Sequence, residues 1–398
     1  MIERTIYLEK LLGFKDKQLI KIITGVRRCG KSTLLELYQK KLIEEMGIEK
    51  RQIQSINLEM PEYRELLVWD KLYDYINSRL IDDKKNYIFI DEIQNAPDFQ
   101  RAADGLFIKN NVDLYLTGSN SKMQSGEWAT LLSGRYVEIQ MFPLSFKEYS
   151  SAYPNVSAPE NFKRYLEESS FPYAIELSGR SAQIRDYLGG IYNTIVLKDI
   201  VENKKIRDIS RLEMTARFIA DNIGNLTSIK KISDTMTSDG VKILPLTIES
   251  YIDALRDSYI LYRASRYDVK GKKLLQTLDK YYLIDIGLRY YLLGDKEADS
   301  GRILENIVYL ELLRRDYKVS VGKVADKEVD FVAEGLDGTQ YYQVADTILD
   351  KSILARELAP LNAIHDHNPK FILTKDYEPR TAYNGIKQVN VFEWLLKG

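Results

Sequence analysis

Residues 25–33 read Gly25-Val26-Arg27-Arg28-Cys29-Gly30-Lys31-Ser32-Thr33, and residues of these types at this spacing can do phosphate chemistry. The pattern G-x-x-x-x-G-K-[ST] makes a loop whose backbone N–H groups face phosphate oxygens. The glycines permit the tight curl, the Lys31 ammonium reaches β- and γ-phosphates, and the Ser32 hydroxyl takes one Mg²⁺ position. The whole loop, Gly25 to Thr33, is expected to line a nucleotide. A second set stands in Asn86-Tyr87-Ile88-Phe89-Ile90-Asp91-Glu92, an apolar run that ends in two carboxylates. There Asp91 can hold Mg²⁺ through water and Glu92 can polarise an attacking water. Nucleotide binding needs only Asp91; hydrolysis is best explained by Glu92.

These groups need a strand before the loop and a helix after it. Leu19-Ile20-Lys21-Ile22-Ile23-Thr24 is apolar and β-branched enough for the strand. Leu34, Leu35, Tyr38 and Leu42 recur at helical spacing behind the loop. A helical stretch from Phe99 to Lys109 follows the second motif. Then Val112-Asp113-Leu114-Tyr115-Leu116-Thr117-Gly118-Ser119-Asn120 reads as a strand ending in small polar residues. In additional-strand ATPases such a strand lies between those of the loop and of the paired acids. Ser119 or Asn120 would then sense the γ-phosphate; the competing reading is a plain polar loop.

The ordered segments GVRRCGKST, YIFIDEIQN, LYLTGSNSKM and LLSGRYVEIQMFPLSFKEY resemble the AAA-type ATPases of bacteria and archaea that carry a nuclease-like C-terminal domain. The resemblance covers nearly the whole chain. It implies an α/β fold: an additional-strand P-loop ATPase core over 1–155, a helical and winged-helix domain over 156–298, and a small α/β restriction-endonuclease-like domain over 299–398. It makes Arg135 a candidate arginine finger or a contact to a neighbouring subunit, against the reading of a surface arginine opening the strand Tyr136–Gln140. Arg27 and Arg28 meet phosphate, meet a partner subunit, or are solvated. ATP rather than GTP rests on this resemblance; no N-K-x-D guanine reader follows the paired acids.

Composition narrows the rest. The chain has 398 residues, 44% hydrophobic and 29% charged, an ordinary globular balance. Lys plus Arg (57) nearly equals Asp plus Glu (58), so nucleic acid would have to use a local patch. The one cysteine, Cys29, excludes an internal disulfide and a cysteine zinc site, and is read as a small loop residue rather than a redox switch. No apolar run spans a bilayer and the N-terminus lacks a signal-peptide core, so no membrane is expected and the cytoplasm is the default.

Past Pro154, Asn155, Ser157 and Pro159, a boundary signal, residues 160–225 read as helices with Tyr187, Leu188, Ile191 and Ile195 on periodic faces. Ile229, Ile232 and Met236 mark one short helix. Ile248, Tyr251, Ile252 and Leu255 mark another, with Thr247 as N-cap. Two β-like runs, Leu261–Tyr267 and Leu274–Leu283, then join through Asp268-Val269-Lys270-Gly271-Lys272-Lys273. Helix, helix, hairpin is a winged-helix order. Glu249, Asp253 and Asp257 outnumber Arg256 on the second helix, which argues against sequence reading. Lys270, Lys272 and Lys273, with Lys198, Lys204, Lys205, Arg207 and Arg211, form either a non-specific phosphate contact or a solvated face.

In the C-terminal domain, Glu305 on a helix, Asp330 in the run Glu328–Val332, Gln343 and Ala345 align with the metal and lysine positions of the nuclease-like fold. Asp337-Gly338 signals a hairpin between them. The alanine stands where that resemblance expects a lysine, so efficient phosphodiester cleavage is not expected. His365 and His367 are read as solvent-facing. Three functions stay open: Mg–ATP hydrolysis driving a conformational change, an ATP-gated switch with little turnover, and, disfavoured by Ala345, a Mg²⁺-dependent nuclease. DNA, protein or further copies of the chain are the partners considered.

Overall fold

The computed structural model describes residues 2–118, 132, 134–202, 204, 206–275, 278–294, 300–377 and 382–397. Ser119, Asn120 and Lys205 lie outside the described residues. The chain divides into two compact units, one of 1–143 with 194–205, the other of 144–193 with 206–398.

In the first unit, β1 (Ile20–Thr24), β2 (Ile53–Asn57), β3 (Asn86–Asp91), β4 (Val112–Gly118) and β5 (Tyr136–Gln140) form a sheet in the order β2-β3-β4-β1-β5, parallel throughout. The inserted strand β4 separates β1 from β3, as the likeness to additional-strand ATPases implied. Every residue of β1, β3 and β4 is buried, whereas the edge strands β2 and β5 are only partly so. That is the mark of a parallel sheet covered on both faces, and it explains why the three central strands read as near-continuous apolar runs. Helices α1 (Thr5–Gly13), α2 (Lys31–Glu44), α3 (Trp69–Asn77) and α4 (Phe99–Phe107) supply the cover. Helix α2 buries Leu34, Leu35, Tyr38 and Leu42, the four residues whose spacing announced it.

Among the polar residues buried inside the sheet is Lys21, fully buried on β1, whose ammonium pairs with Asp113 on β4. Burial pushes the Lys21 ammonium down from its ordinary pKa and Asp113 works against that shift.

In the second unit, helices Ile229–Ser238 and Pro245–Asp257 precede strands β6 (Leu261–Ala264), β7 (Arg266–Asp268), β8 (Lys273–Leu274) and β9 (Lys280–Leu283). The second of these helices starts at Pro245, with Leu244 at the N-cap position, so Thr247 lies inside the first turn and is not the cap. Proline at the first helical position loses only an N–H that had no partner there. The hairpin splits between two sheets. β6 pairs with β9, while β7 and β8 extend a mixed sheet of order β14-β15-β13-β12-β11-β10-β7-β8. Its other strands are β10 (Lys318–Val324), β11 (Lys327–Gly335), β12 (Gly338–Ala345), β13 (Lys370–Thr374), β14 (Ala382–Tyr383) and β15 (Ile386–Asn390). β7 runs parallel to β10, with Val321 opposite Arg266.

The hairpin strands β7 and β8 thus share a sheet with strands from beyond residue 298. The first compact unit ends at Pro143 and takes in 194–205. Leu144 belongs to the second unit because its N–H donates to Ser170 O at 2.8 Å and its carbonyl accepts from Tyr165 Oη at 2.9 Å. No helix among the described residues is long and apolar enough to cross a membrane.

Candidate active site

The C-terminal edge of a parallel sheet is where ligands sit in folds of this kind. The loop after β1 and the acids after β3 both lie there. Gly25 has φ +143° and Gly30 has φ +103°, regions open to glycine. A Cβ on Gly25 would stand 2.1 Å from Met141 O, so close approach of the backbone also excludes any side chain. Gly30 then caps α2, whose N-terminus faces the loop with its positive dipole end. Lys31 begins that helix, and its Nζ lies 3.0 Å from Gly25 O and 3.2 Å from Val26 O, inside the curl of its own loop. Ser32 is exposed beside it.

The loop residues divide by face. The Val26 and Cys29 side chains are fully buried and pack the core, which leaves their backbone to face a nucleotide. Burial pushes the Cys29 thiol above its ordinary pKa, which removes the thiolate a redox switch needs. Arg4 fixes this inner face by donating to Cys29 O at 3.0 Å. Arg28 is exposed and left-handed, φ +66°. Arg27 turns to Asp199: Nε donates to Oδ1 at 2.9 Å and Oδ2 at 2.8 Å, and Nη1 lies 3.5 Å from Glu59 Oε1.

The acids are held by neighbouring strands. Thr117 Oγ1 on β4 donates to Asp91 Oδ1 and accepts the Glu92 N–H at 2.9 Å. The Asn57 side-chain amide on β2 donates to Asp91 Oδ2 at 3.0 Å, while its Oδ1 accepts the Glu59 N–H at 2.9 Å. Asp91 is thus oriented from both sides by strands it pairs with. Glu92 is left-handed at φ +56°, an unusual conformation for a side chain that gathers at functional sites, and Gln94 donates to its carboxylate. The Ser32 hydroxyl and the Asp91 carboxylate are hard oxygen donors, of the kind that suits Mg²⁺ rather than a soft metal, and Thr117 and Asn57 orient the carboxylate.

Thr117, Asn57 and Asp199 escaped the reading of the sequence. Thr117 stands directly before the tip where Ser119 and Asn120 were expected to sense phosphate. Its place at a strand end and its hydroxyl were the available signal. Arg135 is the clearest displacement. It precedes β5, where Ile20 N donates to its carbonyl at 2.9 Å, at the N-terminal edge of the sheet. The phosphate loop leaves the other end of β1, about 13 Å away along a strand of five residues. Arg135 Nη1 lies 3.4 Å from Asp104 Oδ1, and the guanidinium lies over the Phe107 ring, so it does not serve the loop of its own chain.

A parallel sheet with β4 inserted, a phosphate loop after β1 and paired acids after β3 define an AAA-type P-loop ATPase core. Residues 17–150 match the family described as an AAA domain, and residues 159–299 match a domain of unknown function. The chain belongs to the family of an uncharacterised protein of Haemophilus influenzae, to which it is 39% identical over 403 residues, covering 100% of this chain and 99% of that protein. An uncharacterised protein of Methanocaldococcus jannaschii is 29% identical over 364 residues, 85% of this chain and 78% of that one. Among solved structures, the Walker-type ATPase PABY2304 of Pyrococcus abyssi shares the fold with a TM-score of 0.50 and 16% identity, over 73% of this chain and 96% of that one.

Proposed function

We propose that the chain binds Mg–ATP at the loop Gly25–Thr33 and hydrolyses it, with a conformational change as the output. Lys31 and the loop N–H groups hold the phosphates, Ser32 and Asp91 hold Mg²⁺, and Glu92 polarises the attacking water. When bound, Mg²⁺ would neutralise charge on the β- and γ-phosphates. The observation that carries this reading is the Thr117 hydroxyl, which bonds both Asp91 and the Glu92 backbone and so fixes the two acids relative to one another. A switch would need only the first. In Lys31→Ala, ATP binding and turnover are expected to disappear. In Glu92→Gln, binding is expected to persist while turnover falls. A Lys31→Ala protein hydrolysing ATP at the parental rate sinks the reading.

The second reading, an ATP-gated switch, draws on the engagement of Glu92 by Gln94 and of Arg27 by Asp199. It wins if Glu92→Gln stabilises a complex with DNA or protein while leaving a measurable ATPase rate unchanged. For Arg135, exposed and remote from its own loop, the fitting role is contact with a second copy of the chain. Mixing an Arg135→Ala protein with a Lys31→Ala protein tests this: activity regained in the mixture supports a shared site. Exposed Lys270, Lys272 and Lys273 are the proposed non-specific contact to nucleic acid.

A further inference from the structure

The second unit carries a buried charge cluster remote in sequence from the nucleotide motifs. Lys280, which opens β9, is 3% exposed. Its Nζ lies 2.8 Å from Glu305 Oε1, 2.7 Å from Glu328 Oε1 and 3.7 Å from Asp330 Oδ1. Glu305 comes from the helix Ser300–Arg314, and Glu328 and Asp330 stand two apart on β11, hence on one face of the sheet. Tyr282 Oη also donates to Glu305 Oε1, and Val344 N–H donates to Asp330 Oδ2 at 2.9 Å. The Gln343 side chain bridges outward: its Oε1 accepts the Asp330 backbone N–H at 3.4 Å and its amide donates to Glu357 Oε2 at 2.9 Å.

Three carboxylates meeting at one point repel one another, and only a cation between them makes the arrangement tolerable. Burial works against the charge on Lys280, but Glu305, Asp330 and Glu328 outweigh it and hold the ammonium charged. Burial, and then Glu305, push the Asp330 carboxyl above its ordinary pKa, and Lys280 opposes the shift. Oxygen donors on several sides of one point are how a protein holds a hard divalent ion. Among the described residues, no set of three or more acidic, histidine or cysteine side chains stands ready to hold a metal.

We propose that the Lys280 ammonium stands in the position of a divalent cation, so that this centre takes no Mg²⁺ or Mn²⁺ in the protein as it exists and becomes a hard-cation site once the ammonium is removed. The cation that Glu305, Glu328 and Asp330 require is carried by the chain itself. The same tether joins the helix Ser300–Arg314 to β9 and β11. It arrives from β9, not from β12, where Ala345 stands.

Mn²⁺ binding to the nucleotide-free full chain, read by electron paramagnetic resonance and by melting temperature, tests this. An Asp91→Asn background removes the metal position at the phosphate loop. With Lys280 intact, no Mn²⁺ binding that depends on Asp330 is expected. In Lys280→Ser, one Mn²⁺ is expected with a Kd on the order of 100 µM, lost again when Asp330→Asn is added. Folding of Lys280→Ser only in the presence of Mn²⁺ supports the same conclusion. Asp330-dependent Mn²⁺ binding with Lys280 intact overturns it, as does a folded Lys280→Ser that binds none. If Lys280→Ser folds under neither condition, Lys280→Ser/Glu328→Gln, with one buried charge fewer, replaces it. A double variant that fails to bind Mn²⁺, folded or not, overturns the proposal.

Discussion

Arg27, in the middle of the phosphate loop, is bound through its Nε to both oxygens of Asp199, a residue 172 positions away that is 1% exposed. Asp199 lies on the segment Ile195–Glu202, which folds within the first unit although it lies beyond the matched AAA domain. Burial raises the Asp199 carboxyl, Arg27 opposes the shift, and the Glu92 charge raises it further. An acid within reach of Glu92 and Lys31 competes with a triphosphate for the same guanidinium and repels its charge. Asp199→Ala is therefore expected to tighten nucleotide binding about tenfold. Arg27→Ala should weaken it, and the double variant should show no gain from the loss of Asp199. Titration with a fluorescent ATP analogue reads all four proteins. Weakening by Asp199→Ala as large as that by Arg27→Ala would show that Asp199 supports the site instead.

Thr117→Val keeps the shape of the side chain and removes the hydroxyl that serves Asp91 and Glu92. The fold should survive, because β4 is held by its ladders to β1 and β3. The kcat for ATP is expected to fall about tenfold or more with KM little changed, the pattern of lost positioning rather than lost binding. An unaltered kcat removes Thr117 from the site.

Cys29 is the single cysteine of the chain and is wholly buried, with its thiol raised above the ordinary range. A free cysteine gains thiolate steeply between about pH 7 and 9. Here burial disfavours the thiolate, so alkylation of the native protein should stay slow and nearly flat across that range. Denaturant should restore the ordinary rise. Rapid labelling of the folded protein at pH 8 contradicts the buried placement.

The Lys21–Asp113 pair lies wholly inside the first unit. Asp113 also accepts Tyr115 Oη at 2.9 Å and Asp16 N–H at 2.8 Å, and Lys21 donates to Lys17 O at 2.8 Å. Asp113→Ala strands a buried ammonium and is expected to cost about 3–5 kcal/mol, read by urea unfolding. Lys21→Met/Asp113→Leu removes both charges and should cost far less. Equal losses in the two proteins would mean that packing, not charge, governs the site.

Much of the nucleotide site was legible because it is written in short spacings. Lys31 and Ser32 follow Gly25 at fixed steps, and Asp91 and Glu92 close an apolar run. The central strands could be anticipated because buried parallel strands carry an unbroken apolar signature, whereas the place of β4 between β1 and β3 was expected only from the likeness to additional-strand ATPases. The hairpin near 268–273 was legible as a hairpin but not as a strand pair belonging to two sheets. Nothing local in Arg266–Asp268 records its pairing with β10.

The sequence by itself determined the phosphate loop and the paired acids, since each depends on residues adjacent along the chain. The tertiary structure alone decided what orients and restrains them. The pairing of Ile90 with Leu116 and of Asn57 with Asp91 brings Thr117 and Asn57 to the acid. A segment more than a hundred residues on delivers Asp199 to Arg27, the start of β5 carries Arg135 to the far edge, and β9 rather than β12 supplies the ammonium among Glu305, Glu328 and Asp330. Strand register and chain return are set by the summed packing of whole elements, and no single spacing in the sequence encodes them.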